Sequence, residues 1–332
     1  MEFYGANPRA YFLRRFLEPH PGTMTFTVRN GLVMRGAVWL KLAAKRAFVS
    51  SLARYHSRNG VFAVEIRSTV GLGAKLEWCL EIMAYCNDKG LVPRFRFSYP
   101  DSRPAVDYFG RLFSIKDSQD RPARFITISS IVELDLGKDY DPALTIGLAH
   151  FLIKKYLVVR EDVVREVDEF CRGHFGDRSV LGVHYRGTDK GCESPVVSYD
   201  TVRRNVDRYL ELYPATDGIF VATDDANFLD YLQTASLARP IVWRDDSFRS
   251  RDGTSIHGSG DTDKDQINRD AIVNCLILSR CGALLKTASI LSGWSKLFNP
   301  ALPVVMLSTP RPDHLWFPER VLVGGNLFEP VP

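Results

Sequence analysis

The sequence predicts an α/β protein built from two Rossmann-like domains, and three observations support this prediction. The chain has 332 residues, which is enough for two α/β domains of about 110 to 130 residues each and an extension. A strand, a helix and a second strand follow one another from residue 61 onward. In the second half, apolar strands run into charged loops and helical segments, as they do in parallel sheets.

These patterns divide the chain into four segments. They are a basic helical extension over residues 1–60, a first Rossmann-like domain over 61–172, a second over 173–310 and a tail over 311–332. Residues 1–60 contain ten Lys or Arg and two Asp or Glu. Because the whole chain has a net charge of +4, the remaining residues carry a net negative charge. Prolines at positions 300, 303, 310, 312 and 318 mark the exit from the second domain.

The first domain opens with a βαβ pattern. The predicted elements are a strand at Val61–Arg67, a loop at 68–73, an amphipathic helix at 75–89 and a strand at 91–97. The loop contains Gly71 and Gly73, and a glycine pair after a first strand is half of the dinucleotide-binding fingerprint. Because the third glycine position is Leu76 and no acidic residue ends the second strand, a nicotinamide or flavin enzyme is the weaker alternative.

The second domain begins with a strand that ends in a cluster of titratable residues. An apolar run from Leu181 leads into a short loop, whose titratable residues are His184, Arg186, Asp189, Lys190 and Glu193. Ligands bind at the carboxyl ends of strands in open α/β sheets, and two neighbouring cations suit a phosphate or a diphosphate. The alternative is a solvated turn with local ion pairs.

Two further strand ends carry polar residues. Residues 218–223 form a buried-type strand that is followed by Asp224, Asp225 and a helical pattern over 227–237. One of the two carboxylates is expected to cap that helix, and the other needs a different explanation. The remaining predicted elements are a mostly buried helix at 268–281, a strand at Ala283–Lys286 and a turn of small residues at 287–289.

These three segments resemble the three motifs of the α1,6-fucosyltransferases, a family that includes a bacterial nodulation enzyme and the animal enzyme of the N-glycan core. The matching runs are His-Tyr-Arg-Gly-Thr-Asp-Lys at 184–190, Phe-Val-Ala-Thr-Asp-Asp at 220–225 and Leu-Ser-Arg-Cys at 278–281 before a Thr-x-Ser turn. The resemblance implies the GT-B architecture, in which two Rossmann-like domains face a cleft. It also implies inverting, metal-independent transfer without a cofactor, and GDP-fucose as the donor.

The resemblance assigns roles to individual residues. Arg186 matches the family's essential arginine, which would bind the donor diphosphate and stabilise charge on the departing GDP. Glu193 lies near the family's proposed general base if one residue before it is deleted. The implied donor-binding residues are His184, Asp189, Lys190, Asp224, Asp225, His257 and Ser289. Gly71 and Gly73 resemble the glycine loop that opens the acceptor-side domain.

Three positions depart from the family pattern. Gly187 stands where a second arginine is usual, and Arg269 is a candidate to replace that cation. Asn274 stands where the family has an acidic residue that binds guanine, and an amide has one acceptor oxygen where a carboxylate has two. Ile290 replaces a serine of the third motif. These departures leave two alternatives open: a transferase that uses another nucleotide sugar for surface polysaccharide synthesis, and a catalytically weakened sugar-nucleotide or glycan-binding protein.

Composition narrows the partners and the compartment. The six cysteines lack Cys-x-x-Cys spacing, which favours reduced core thiols over a zinc site or disulfides. Because the sequence shows neither a signal peptide nor an apolar run of membrane length, we expect a cytoplasmic protein. Residues 32–55 are basic and helix-like, which suits peripheral contact with an inner membrane near a glycolipid acceptor, although packing on the catalytic domain is the favoured alternative. No nucleic-acid motif accompanies these basic residues, so we expect no nucleic-acid partner.

Overall fold

The computed structural model describes residues 43–44, 47–48, 51, 59–100, 106–117, 123–134, 136–188, 191, 193–254 and 263–332. The strands of these residues are β1 Val61–Arg67, β2 Val92–Ser98, β3 Phe113–Ile115, β4 Ile126–Ile128, β5 Leu157–Val159, β6 Val180–Tyr185, β7 Gly218–Thr223, β8 Ile241–Val242, β9 Ala283–Lys286 and β10 Val304–Met306. The α-helices are α1 Leu72–Lys89, α2 Ile146–Tyr156, α3 Glu161–His174, α4 Tyr199–Leu212, α5 Ala226–Thr234, α6 Lys264–Leu278, α7 Ile290–Phe298 and α8 Glu319–Leu322. Short 3₁₀ helices lie at Ile131–Glu133, Asp141–Ala143 and Pro312–His314.

The first sheet has the strand order β2–β1–β4, and both of its pairings are parallel. Strand β1 agrees with the predicted strand at both ends. Helix α1 begins at Leu72, before its predicted start, because Gly71 is the extended N-cap residue with φ −64° and ψ 164°. Gly90 ends the same helix in the left-handed conformation, with φ 66°, where a side chain would be strained. The predicted βαβ unit is therefore present.

The second sheet has the strand order β10–β9–β6–β7–β8, and all of its pairings are parallel. From the central strand β6 the chain moves outward through β7 and β8, and it then returns to β9 and β10 on the other side. This is the doubly wound arrangement, whose switch point lies at the carboxyl end of β6. His184 of β6 pairs with Ala222 of β7 and with Lys286 of β9. The three strand ends that carry the sequence motifs therefore meet.

The two helices predicted near these motifs are present with shifted ends. Helix α5 starts at Ala226 because Asp225 caps it, and it ends before its predicted limit. Helix α6 starts at Lys264, before the predicted position, because the side chain of Asp263 accepts a hydrogen bond from the backbone N–H of Asp265. Polar cap residues, rather than the apolar run, thus set the helix starts. Strand β9 agrees with its prediction at both ends.

A single cluster of buried apolar side chains connects the two halves of the chain. Its fully buried members include Phe62 of β1, Leu76 of α1, Phe220 of β7 and Trp294 of α7. Helix α7 follows β9 along the chain but packs against α1 and α2 of the first half. The two sheets therefore share a core. The boundaries of the four predicted segments stay predictions.

The five cysteines among the described residues lie in or against this core. Cys79, Cys86, Cys275 and Cys281 are buried, Cys171 is half-buried, and none of these five forms a disulfide. Burial raises the pKa of the Cys275 thiol to about 12. Cys192 and most of residues 32–55 lie outside the described residues, so the basic helix stays a prediction. In the ranges that the structure describes, no helix is both long and apolar enough to cross a membrane.

Candidate functional site

A cavity lies at the switch point of the second sheet, between the carboxyl ends of β6 and β7 and the side of α6. Part of this cavity is open to solvent. Its polar lining residues are His184, Arg186, Thr223, Asp224, Ser247, Asp270, Asn274 and Ser292. Its other lining residues are Ala222, Phe248, Ile267, Ala271, Cys275, Leu278 and Leu291.

Arg186 is the first residue after β6, and two contacts fix its position. Its Nε atom lies 3.0 Å from Oδ2 of Asp224, and the two side chains are 16% and 12% exposed. Its backbone N–H donates to the Thr287 hydroxyl at 2.8 Å. Asp224, which follows β7, therefore orients the guanidinium, and Thr287, which follows β9, fixes the backbone that carries it.

Asp224 also fastens the loop that follows β6. One of its oxygens accepts the Gly187 backbone N–H at 3.0 Å, and the other accepts the Thr188 hydroxyl at 2.7 Å. Each carboxylate oxygen can accept more than one hydrogen bond, so this single side chain accepts all of these donors together with the Arg186 guanidinium. The resemblance placed Asp225 at the donor with Asp224 beside it, whereas in the structure Asp224 is the one that lines the cavity.

Asp225 has a different role. Its Oδ1 atom accepts the backbone N–H of Asn227 at 2.9 Å and of Phe228 at 3.3 Å, so it caps α5. Its Oδ2 atom accepts the Tyr199 hydroxyl at 2.6 Å, and burial together with this bond raises the pKa of Tyr199. Asp225 is not among the lining residues of the cavity, so of the two expected outcomes for this pair, capping is the one that the structure shows for it.

Gly187 leaves no room for the second arginine of the family pattern. A Cβ atom on Gly187 would lie 2.6 Å from Oδ2 of Asp225 and 2.7 Å from Cε1 of Tyr185. Both neighbours are buried, and both are tied to other elements: the Tyr185 hydroxyl donates to the Val197 carbonyl at 2.9 Å. The packing around the end of β6 therefore excludes a larger side chain at position 187.

Arg269 does not replace the missing cation in this cavity. Its Nη1 atom lies 2.7 Å from Oδ2 of Asp162, and its Nε atom lies 2.8 Å from Oε2 of Glu166. Both carboxylates belong to α3, which packs against α6. Among the described lining residues of the cavity, Arg186 is the arginine that remains.

Helix α6 forms the opposite wall of the cavity. It holds residues 247 and 248, which the sequence patterns did not indicate as part of the site. The Nδ2 atom of Asn274 lies 3.3 Å from the Ser247 hydroxyl. One turn earlier, Oδ2 of Asp270 accepts the backbone N–H of Phe248 at 3.3 Å, and burial raises the pKa of Asp270. The segment follows the two-residue strand β8, so the rule that ligands bind at the carboxyl ends of strands is the signal that would have found it.

The third motif lies behind the cavity. Ser289 is buried, and its backbone N–H donates to Oε1 of Glu319. The same carboxylate oxygen lies 2.6 Å from Nζ of Lys286, and these two side chains are 4% and 0% exposed. Ser292 lines the cavity in this region, whereas Ser289 does not. The predicted donor contact of Ser289 therefore stays a prediction. The buried ion pair between Lys286 and Glu319, a residue of the tail, holds the third motif in place.

The remaining predicted site residues lie apart from the cavity or outside the described residues. The carbonyl of Glu193 accepts the backbone N–H of Arg311 at 2.9 Å, and Glu193 is not among the lining residues, so its role as a base stays a prediction. Asp189, Lys190 and His257 lie outside the described residues.

The glycine loop of the first domain lies next to the cavity without lining it. Gly71 caps α1, and a Cβ atom on Gly73 would lie 3.0 Å from the backbone nitrogen of Leu291. Leu291 itself lines the cavity. Gly73 therefore allows the first domain to approach the start of α7. Within the part of the chain that the structure describes, no group of three or more His, Cys, Asp or Glu side chains is arranged to hold a metal ion.

Comparisons with known proteins agree with this architecture. No protein-family model matches the chain, and no curated protein matches its sequence. Among solved structures, NodZ alpha-1,6-fucosyltransferase co-crystallised with GDP is 14% identical, with 72% of this chain and 92% of that chain covered and a TM-score of 0.50. A mutant of Arabidopsis thaliana FUT1 in complex with GDP is 11% identical, with 84% and 81% covered and a TM-score of 0.44. The chain has an α/β fold of the GT-B type, which it shares with the NodZ structure.

Proposed function

We propose that the chain is an inverting glycosyltransferase that transfers fucose from GDP-fucose to a hydroxyl of a glycan or glycolipid acceptor. The observation that carries the proposal is the position of Arg186. It follows the central strand of a doubly wound sheet, it lines a cavity at the strand ends, and Asp224 and Thr287 hold it there. Open α/β sheets bind nucleotides at this point of the topology.

Arg186 would act on the leaving group. When the bond between the anomeric carbon and the diphosphate oxygen breaks, the electron pair stays with GDP and its negative charge increases. A guanidinium that is already oriented stabilises this charge without reorganising in the transition state. In this proposal the guanidinium supplies the positive charge that metal-dependent transferases obtain from a cation, which is the basis for proposing metal-independent transfer.

The acceptor hydroxyl would attack the anomeric carbon from the face opposite the diphosphate. The new glycosidic bond forms as the bond to GDP breaks, so the anomeric configuration inverts. A general base takes the hydroxyl proton, and Glu193 is proposed for this step because it lies on the same loop as Arg186. The base must approach within hydrogen-bond distance of the acceptor hydroxyl in the complex.

A second candidate function rests on Asn274 and Gly187. Asn274 places an amide on the α6 wall of the cavity, and Gly187 leaves the second cation missing. These two features also suit a protein that binds a sugar nucleotide or a glycan and catalyses transfer slowly or not at all. Acceptor-dependent release of free nucleotide separates the two functions, because a binding protein retains affinity and releases none.

The test is calorimetric binding of GDP, GDP-fucose, UDP and CMP to the purified protein, with and without EDTA. The proposal predicts GDP binding that EDTA does not change, and loss of that binding in Arg186→Ala. The matched control is Arg251→Ala, since Arg251 is an exposed arginine paired with Asp230. Transfer by Arg186→Ala should fall by about a hundredfold or more. Unchanged transfer in that variant would show that the assignment of Arg186 is wrong.

We also propose a cytoplasmic protein, and we propose peripheral membrane contact through residues 32–55 as the alternative to their packing on the catalytic domain. The support is the excess of Lys and Arg over Asp and Glu in residues 1–60, because basic segments bind anionic lipid surfaces. Co-sedimentation with anionic vesicles, and not with neutral ones, is the expected result. Equal recovery with both vesicle types would count against membrane contact.

A further inference from the structure

Helix α6 holds residues 247 and 248 at the rim of the cavity through two side chains that lie one helical turn apart. Asn274 donates from Nδ2 to the Ser247 hydroxyl at 3.3 Å. Asp270 accepts the Phe248 backbone N–H at 3.3 Å. The Phe248 side chain is 42% exposed, although most large apolar side chains of the described residues are buried. A half-exposed aromatic ring thus stands beside a side-chain amide on one cavity wall.

These two groups have the chemistry that a nucleobase requires. An exposed aromatic ring offers a face on which a base can stack, and a side-chain amide offers one donor and one acceptor to the edge of that base. Arg186 lies on the wall formed by the ends of β6 and β7, so a nucleotide with its diphosphate at Arg186 would direct its base toward α6.

Asp270 is a less suitable reader of the base, although it lines the same cavity. Its Oδ1 atom accepts Nε2 of Gln266 at 2.8 Å and lies 3.5 Å from Nη1 of Arg244. Its Oδ2 atom accepts the Phe248 backbone N–H. Both oxygens therefore hold protein groups in place. Asn274 donates a hydrogen bond from Nδ2 to the Ser247 hydroxyl, and that bond orients the amide plane.

We propose that Asn274 binds guanine through its O6 and N1–H edge and does not recognise the 2-amino group. The inference rests on the proposed function, because it takes a guanine nucleotide as the ligand. On that edge an acceptor lies next to a donor, and a single amide complements both: Oδ1 accepts N1–H and Nδ2 donates to O6. The edge formed by N1–H and the 2-amino group presents two donors, which a carboxylate matches and an amide does not.

The test compares GDP with inosine diphosphate, which differs from GDP by the absence of the 2-amino group. We expect the two dissociation constants to agree within about threefold in calorimetry, because no hydrogen bond to that amino group is lost. In Asn274→Asp, GDP should bind about tenfold or more tightly than inosine diphosphate, since a hydrogen bond to a charged group is then at stake.

Two variants serve as controls. Asn87→Asp makes the same chemical change on α1, where Asn87 accepts a hydrogen bond from Lys155, and it should leave the ratio of the two constants unchanged. Phe248→Ala should weaken both nucleotides equally, because it removes the stacking surface and not the edge contact. Thermal melting of each variant confirms that it folds.

The outcomes separate this inference from the proposed function. A tenfold preference of the unchanged protein for GDP over inosine diphosphate means that the 2-amino group is recognised, which overturns the inference and leaves the proposed function standing. Failure of both nucleotides to bind the folded protein overturns the proposed function and the inference together. Similar ratios in Asn274→Asp and in the unchanged protein show that Asn274 does not contact the base, which also overturns the inference.

Discussion

Nε of Arg186 lies 3.0 Å from Oδ2 of Asp224, across the gap between the ends of two adjacent parallel strands. The same carboxylate accepts the Gly187 backbone N–H and the Thr188 hydroxyl. One side chain after β7 therefore determines both the direction of the guanidinium and the path of the loop that carries it. Any ligand that binds Arg186 depends on this carboxylate.

Asp224→Asn tests that dependence. The amide keeps the size of the side chain but replaces one acceptor oxygen with a donor, so at least one of its three donor partners loses its acceptor. We expect the free energy of unfolding to fall by about 1 to 3 kcal/mol, and GDP affinity to fall as well. Urea denaturation and calorimetry measure the two effects. Asp230→Asn, at an exposed ion pair with Arg251, should cost less than about 1 kcal/mol, and equal effects of the two variants would contradict the role of Asp224.

Gly187→Ala tests the packing explanation for the missing second arginine. The added Cβ atom would lie 2.6 Å from Oδ2 of Asp225 and 2.7 Å from Cε1 of Tyr185. We expect a loss of about 1 to 3 kcal/mol in the free energy of unfolding, because neither neighbour moves without disturbing another contact. Gly147→Ala is the matched control, since a Cβ atom there meets nothing within 4 Å and alanine favours the helix. A Gly187→Ala protein as stable as the parent would show that the space around Gly187 is adaptable.

The strands, and the order in which their polar ends follow along the chain, were predictable from local sequence patterns. The ion pairs between distant residues were not. Strands β1 and β9 agree with their predicted limits because buried parallel strands are rich in apolar residues, and such residues predominate in both strands. Arg269 was expected to serve the cavity, but its partners Asp162 and Glu166 lie about a hundred residues earlier in the chain. No local pattern reveals such a contact.

The site itself was predicted in part. The sequence motifs placed Arg186 and Asp224 at the ends of two strands, and in the structure these two ends are adjacent. Asp224 and Asp225 are adjacent residues of the same type, so the sequence does not determine which of them faces the cavity. The direction of the backbone after β7 determines it. Ser247 and Phe248 follow a strand of two residues, which is too short to show a period. Glu319 lies in a tail without a recognisable pattern, and only the tertiary fold brings it under the third motif.

The buried pair of Lys286 and Glu319 gives a third prediction. Their side chains are 0% and 4% exposed, with Nζ and Oε1 2.6 Å apart. Lys286→Met leaves the carboxylate without its cation, so we expect a loss of about 3 to 5 kcal/mol in the free energy of unfolding. The double variant Lys286→Met with Glu319→Gln should lose clearly less than the sum of the two single variants. The half-exposed pair Arg203 and Asp207 is the control cycle, with coupling near about 0.5 kcal/mol. Additive effects at Lys286 and Glu319 would show that the pair does not act as a unit.

Lys75 gives the fourth prediction, which concerns pH. Its side chain is buried, with Nζ 3.4 Å from the Ser98 carbonyl and 3.6 Å from the centroid of the Tyr99 ring. Removal from water, together with the positive charge of Lys264, lowers the pKa of Lys75 from 10.5 to about 7. Between these two values the unfolded chain holds a proton that the folded protein does not. The free energy of unfolding therefore increases as pH rises from about 7 to 10, and it falls again as pH is lowered toward 7.

Lys75→Met removes this dependence. At pH 7 the variant should be more stable than the parent by about 1 to 4 kcal/mol, because a buried ammonium is replaced by an apolar side chain of similar length. At pH 9 the difference should be smaller, since the folded parent then carries neutral Lys75. Urea denaturation at both values, with Lys89→Met at the exposed end of the same helix as the control, measures the change. If the difference between parent and Lys75→Met is the same at pH 7 and pH 9, then Lys75 is charged in the folded protein at both values and lies in a more polar environment than its contacts indicate.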